Sequence, residues 1–204
     1  MRAGTDIASA PKESKQAEVK GMSDKPDPQM QAVLDQLAAL GGKPIETLSA
    51  EEARKQPTPA DAVKALLQKQ GKSTAPMPVA KVQDGEIPGP AGPIRARIYT
   101  PEGGGPLPVI VYYHGGGWVI ANLDTYDASA RALANAAKAI VVSSHYRQAP
   151  EHKFPAAHED AFAAYQWVLN NAVAFNGNPN RVSVVGESAG GNLAAAVALM
   201  AREA

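Results

Sequence analysis

The sequence predicts an α/β protein: a doubly wound, mostly parallel sheet with a helical region at its N-terminal end. Three observations predict it. From residue 107 onward, apolar β-branched runs alternate with Ala-rich segments of helical period, the order expected of strands joined by crossover helices. Leu107–Tyr113 and Ala139–Ser143 are almost continuously apolar, as strands covered on both faces are. The run Val182–Val185 ends in Gly186-Glu187-Ser188-Ala189-Gly190 and passes straight into an Ala-rich segment, Leu193–Arg202. A buried strand, a very tight turn and a helix explain that stretch.

The elements follow in order. Residues 1–27 are polar and rich in Lys, Glu, Ser, Asp and Pro, a composition that buries little and predicts a disordered tail. Met22 is a candidate start of the natural chain, with the first residues an upstream extension. Residues 28–75 form a helical region. Met30, Val33, Leu34, Leu37 and Leu40 recur at helical spacing after Pro28, and Gly41-Gly42 stops that helix. Ser49 followed by Glu51 and Glu52 reads as a capped helix start with an acidic first turn. Pro59-Ala60-Asp61 opens a third helix with Val63, Leu66 and Leu67 on one face. Such short helices need a partner surface. They form either a subdomain packed on the core or a cap over a site.

Residues 76–204 form the α/β core. Lys81–Ile87 and the alternating Ile94–Tyr99, joined by a Pro/Gly-rich turn, read as a half-exposed antiparallel hairpin. Leu107–Tyr113 leads into His114-Gly115-Gly116-Gly117-Trp118. Residues 124–138 are helical, with Ala130, Leu133, Ala134 and Ala137 expected to face inward. A strand over 139–143 and an irregular loop over 146–155 come next. Residues 156–171 form another helix, carrying Phe162, Tyr165, Trp167, Val168 and Leu169. Asn176–Asn180 reads as a turn cluster before the Val182 strand.

Composition excludes several function classes. Apolar residues make up 45% of the 204, aromatics 5%, and the formal net charge is zero. The core is therefore mostly Ala, Val, Leu and Ile, and no basic surface for nucleic acid or polybasic membrane patch is expected. There is no cysteine, so disulfides and thiolate metal sites are excluded. The first residues lack the apolar segment of a secretory signal, and no apolar run is long enough to span a bilayer. A soluble cytoplasmic protein without cofactor or metal is the expectation.

Two motifs carry chemistry. A Gly-x-Ser-x-Gly turn between strand and helix forces Ser188 into a strained conformation and sets its hydroxyl at a helix N-terminus. The pattern alone is weak, since a glycine-rich surface turn would also produce it. The second motif, three glycines after a buried strand, exposes backbone N–H groups with no side chain in the way. The N–H of the residue after the serine, Ala189, adds another. Donors so placed can hold the oxyanion of an acyl-transfer intermediate, and losing one costs about 2.7–4 kcal/mol of barrier.

With both motifs present, the chain from about Pro28 onward resembles the hormone-sensitive-lipase family of α/β-hydrolases, in its bacterial esterase branch. The resemblance rests on His114-Gly-Gly-Gly-Trp118, on Tyr146-Arg147 with Ala149-Pro150-Glu151-His152 and Phe154-Pro155-Ala156, and on Gly186-Glu187-Ser188-Ala189-Gly190-Gly191. It implies a serine carboxylesterase acting on small acyl esters, often of short chain, with an N-terminal helical cap. It further implies Ser188 as nucleophile and an oxyanion hole from Gly116, Gly117 and Ala189, with Gly115 shaping the loop and His114 ordering it. The chain departs from the family at His145, where Asp is usual, at Gln148, where Leu is usual, and at Lys153 and His158.

Length is the larger departure. In this fold the triad runs Ser, then acid, then His, yet after Ser188 the only acid is Glu203 and no histidine occurs. The four histidines all lie upstream; His145, His152 and His158 read as structural rather than as the base. The chain is expected to be C-terminally incomplete, with the last strands, the acid and the base missing. Two function classes follow: an esterase whose nucleophile half lies here, or a catalytically inactive paralogue or binding module of the same fold. Oligomeric state is left open.

Overall fold

The computed structural model describes residues 25–204. Met22 and most of the polar segment 1–27 lie outside the described residues. Helix α1 (Pro28–Ala39) starts where Asp27 Oδ1 accepts the N–H groups of Gln29 and Met30, at 2.9 and 2.8 Å, with Pro28 in the first turn. Both α2 (Ala50–Ala53) and α3 (Pro59–Lys69) open on reciprocal caps, Ser49 with Glu52 and Thr58 with Asp61.

The apolar row of α1 is not buried as its spacing predicts. Met30, Leu34 and Leu40 stay exposed. The helix meets α3 along the side that carries Gln36, which is buried and accepts from Lys69 Nζ at 2.5 Å. Likewise α3 buries Ala62 while Val63 faces out. In both helices the contact face is set by one neighbour, so part of each apolar stripe stays exposed.

A five-stranded sheet in the order β1-β2-β4-β3-β5 forms the core. β1 (Lys81–Gly89) and β2 (Gly92–Thr100) make the hairpin, and β2 pairs antiparallel with β4 (Ile140–Ser144). β4 and β5 (Gly177–Gly186) flank β3 (Leu107–Tyr113) in parallel. The sheet is therefore mixed rather than mostly parallel, because the hairpin joins the same sheet through β2.

Side chains of β3 alternate between two cores. Val109, Val111 and Tyr113 pack with Ala157, Ala161, Ala164 and Val168 of α5 (Ala156–Asn171) and with Leu193 and Val197 of α6 (Ala189–Glu203). Ile110 and Tyr112 pack with Ala130 and Ala134 of α4 (Asp127–Ala137). Burial on both faces is why the strand carries no polar alternation. Small alanines let α5 lie close to the sheet, and the Tyr113 hydroxyl donates to the Ala161 carbonyl at 2.8 Å. Ala137 does not face inward: it is exposed in the last turn, where Lys138 takes a left-handed conformation (φ +50°) and turns the chain into β4.

β5 begins earlier than expected. Leu107 pairs with Gly177 and Val109 with Val182, with a register irregularity between them. The Asn/Pro cluster over 178–180 is thus an irregular insertion inside the strand, not a turn before it.

Candidate active site

The site is built where β3 and β5 end side by side. Ser188 lies between Gly186, the last residue of β5, and Ala189, the first of α6, with φ +52° and ψ −116°. Holding a residue with a Cβ there costs roughly 1–3 kcal/mol. The side chain is exposed, and its Oγ has no hydrogen-bond partner among the described residues. The turn is closed by the Gly190 N–H donating to Glu187 O at 2.8 Å and by Asn192 N–H donating to Ser188 O at 3.1 Å.

Space requires the two glycines of the turn. A Cβ on Gly186 would overlap the Gly190 carbonyl. A Cβ on Gly190 would overlap the Tyr113 carbonyl and stand 2.7 Å from His114 O. The turn is therefore pressed against the end of β3, which is where the glycine loop starts.

That loop touches the turn backbone to backbone. A Cβ on Gly115 would stand 3.1 Å from Glu187 O and 2.6 Å from the Tyr126 hydroxyl. Gly116 and Gly117 have φ of +111° and +59°. Gly116 O accepts the N–H groups of Val119 and Ile120 at 3.0 and 2.9 Å, which curls the loop. Among the described residues, no acceptor takes the N–H of Gly116, Gly117 or Ala189. Three free donors therefore lie on the loop and turn that bracket Ser188, and such donors can stabilise developing negative charge.

Two imidazoles support the loop from below. His114 is fully buried, and its Nδ1 lies 2.7 Å from Gly115 O. Its Nε2 lies 2.9 Å from His145 Nδ1. The Tyr146 ring stacks on His114 at 4.5 Å, and its hydroxyl donates to His114 O at 2.9 Å. Burial holds the His114 ring below the usual histidine range. Burial first, and then the nearby His114 and Arg95, pushes His145 down to about 4.

Further supports come from distant parts of the chain. Gln148 Nε2 donates to the Ile120 and Ala121 carbonyls at 2.8 and 3.1 Å, bracing the far side of the loop. Arg147 is clamped on buried Asp160 through its backbone N–H at 2.9 Å and its guanidinium at 2.8 Å. Arg54, just after α2, reaches Val119 O at 2.8 Å, Ala149 O at 2.9 Å and the Glu151 carboxylate at 2.8 Å. It is the direct polar tie between the N-terminal helices and the loop. None of these pairings has a local sequence signal, because each joins segments far apart in the chain; the substitutions at His145 and Gln148 were the only hints.

None of the histidines reaches Ser188. His114 and His145 are engaged with each other, and His158 Nε2 lies 3.1 Å from Asn192 Oδ1. A cleft of about 440 Å³ beside the loop is lined by Gly117, Trp118, Phe154, Ala157, His158 and Asn192. No group of His, Asp or Glu fit to hold a metal ion occurs among the described residues. No described helix is long and apolar enough to cross a membrane.

Known proteins share this architecture. A family profile described as the alpha/beta hydrolase fold matches residues 110–204. The carboxylic ester hydrolase LipN of Mycobacterium tuberculosis is 53% identical over 123 residues, which are 60% of this chain and 33% of that protein. The carboxylesterase NlhH of the same organism is 56% identical over 97 residues, 48% of this chain and 30% of that protein. An esterase of Pyrobaculum calidifontis superposes with a TM-score of 0.73 at 44% identity, covering 87% of this chain and 54% of that one. The chain thus spans about a third of the length of these curated relatives.

Proposed function

We propose that this chain, which has the α/β-hydrolase fold, serves a serine carboxylesterase working through an acyl-enzyme on Ser188. The observation that carries the reading is the strained serine at φ +52° beside three unpaired N–H donors. In this reading Ser188 Oγ attacks the carbonyl carbon of an acyl ester. The carbonyl oxygen becomes an oxyanion held by the N–H groups of Gly116, Gly117 and Ala189, and the tetrahedral intermediate collapses with loss of the alcohol. Gly115 and His114 shape the loop. The cleft at Trp118 and Phe154 is sized for a small ester. Two similar proteins, LipN and NlhH, are themselves named as ester hydrolases. The α1–α3 region, tied to the loop by Arg54, acts as a cap.

The proton of Oγ must pass to a base that no described residue supplies. A second reading is a non-catalytic protein of the same fold. The two are separated by treating the chain with diethyl p-nitrophenyl phosphate and mapping the adduct by mass spectrometry. The esterase reading expects a slowly formed adduct on Ser188, absent in Ser188→Ala. No adduct, or one on another residue, overturns it and favours the second reading. Turnover of p-nitrophenyl acetate by this chain is expected to fall several orders of magnitude below that of an enzyme with its base in place. Full esterase rates abolished by Ser188→Ala would overturn the assignment of the base to residues other than those described.

A further inference from the structure

The His114–His145 pair has a direction that can be read from its partners. Gly115 O can only accept, so the 2.7 Å contact requires a proton on His114 Nδ1. A neutral His114 then has a bare lone pair at Nε2. The atom facing it at 2.9 Å, His145 Nδ1, must donate. The chain of donors runs from His145 to His114 to the Gly115 carbonyl. That carbonyl shares a planar trans peptide with the Gly116 N–H, so fixing the oxygen on one side aims the N–H to the other. We infer that His145 is a positioning residue: by donating to His114 it fixes the ring tautomer that holds the Gly115–Gly116 peptide, and so aims the Gly116 N–H.

The inference rests on the reading of Gly116 as an oxyanion donor, and it concerns a residue that touches neither substrate nor Ser188. Its surroundings support neutral rings. His145 faces Arg95 from β2 and Arg54 from the N-terminal helices, with Asp160 of α5 the acid that acts on it most; Arg147 and Glu151 line the same cavity. His114 is covered by the rings of Tyr146 and Tyr126, at 4.5 and 5.8 Å. Two cations and buried aromatic cover disfavour an added proton on either ring. A histidine at 145 has a consequence that an acceptor there would reverse. A carboxylate at this position would demand a proton on His114 Nε2, leaving Gly115 O held only if the ring becomes a cation.

The test reads ring tautomers in the full 204-residue chain by long-range ¹H–¹⁵N spectra, together with the Gly116 and Gly117 amide resonances. At pH 7 both rings are expected to carry the proton on Nδ1, with His114 Nε2 bare. His145→Asn presents an amide donor and should leave the His114 tautomer and both glycine resonances in place. His145→Asp should put a proton on His114 Nε2, raise the pH at which that ring titrates and move the Gly116 resonance. His145→Leu should move the Gly116 resonance without raising the titration. The inference is overturned if wild-type His114 carries its proton on Nε2. It is equally overturned if the Asn variant shifts the Gly116 resonance as far as the Leu variant does. Should the Asp or Leu variant fail to fold, the wild-type tautomers and the Asn variant still decide. These spectra do not depend on Ser188 chemistry, so failure of the esterase reading shows in the adduct mapping and failure of this inference in the rings.

Discussion

Replacing Ser188 by glycine should make the protein more stable, while replacing it by alanine should not. At φ +52° and ψ −116° a side chain crowds its own backbone, at a cost of roughly 1–3 kcal/mol. For glycine the same point is the mirror image of φ −52°, ψ +116°, and glycine occupies mirror conformations equally well. The full strain is therefore released in the folded state. Against this, the unfolded chain gains freedom worth about 0.4–1 kcal/mol. No side-chain hydrogen bond is lost, since Ser188 Oγ has no partner among the described residues. The net expectation is a gain of about 1–2 kcal/mol for Ser188→Gly over Ser188→Ala, or roughly 2–8 °C in melting temperature for a chain of this size. Urea unfolding followed by far-ultraviolet circular dichroism would measure it. A glycine variant equal to or less stable than the alanine variant would refute the claim that this turn stores strain.

Two further outcomes are expected. Asp160→Ala takes from the Arg147 guanidinium and backbone N–H the acceptor that holds them at 2.8 and 2.9 Å, leaves the guanidinium on Glu159 and the Ala156 carbonyl, both at 3.2 Å, and should cost about 1–3 kcal/mol in the same urea titration; a loss under about 0.5 kcal/mol would show that water replaces the carboxylate. Acid should weaken the fold before its carboxylates titrate: the His145 ring titrates at about 4 in the fold and near 6.5 unfolded, so the unfolded chain takes up the proton first. Stability is then flat above about pH 7, falls as pH drops through the 6.5 to 4 window, and is lower by about 2 kcal/mol at pH 5. His114, also depressed by burial, acts in the same direction, and His145→Asn should flatten the slope.

Local regularity explains which parts of this protein are legible in its sequence. β3 is read at its observed bounds, Leu107–Tyr113, because two-sided burial leaves an unbroken apolar run. The helix of residues 156–171 is equally plain, and the serine turn is recognisable because only glycine fits at 186 and 190. What escapes is decided by neighbours distant in sequence. The exposed face of α1 depends on where α3 lies, and the strand character of Gly177 depends on Leu107 across the sheet. The support of the glycine loop is the clearest case. His145, Gln148 and Arg54 each reach it from another segment, through single side-chain contacts that no periodicity encodes. The expected mostly parallel sheet became mixed for the same reason: a hairpin does not announce which strand it will join.

The glycines at 186 and 190 answer to volume, and in the esterase reading Ser188 answers to chemistry. A hydroxyl can be lost from the tip of the turn without disturbing its neighbours, whereas a methyl group at Gly190 would drive into the carbonyls at the end of β3. Selection for folding alone would therefore keep the two glycines and let the serine drift. In duplicated copies of such a gene released from catalysis, the turn should decay in a fixed order: the central residue first, and the flanking glycines only when the fold itself is abandoned. A glycine frame around a non-serine centre would mark a retired hydrolase.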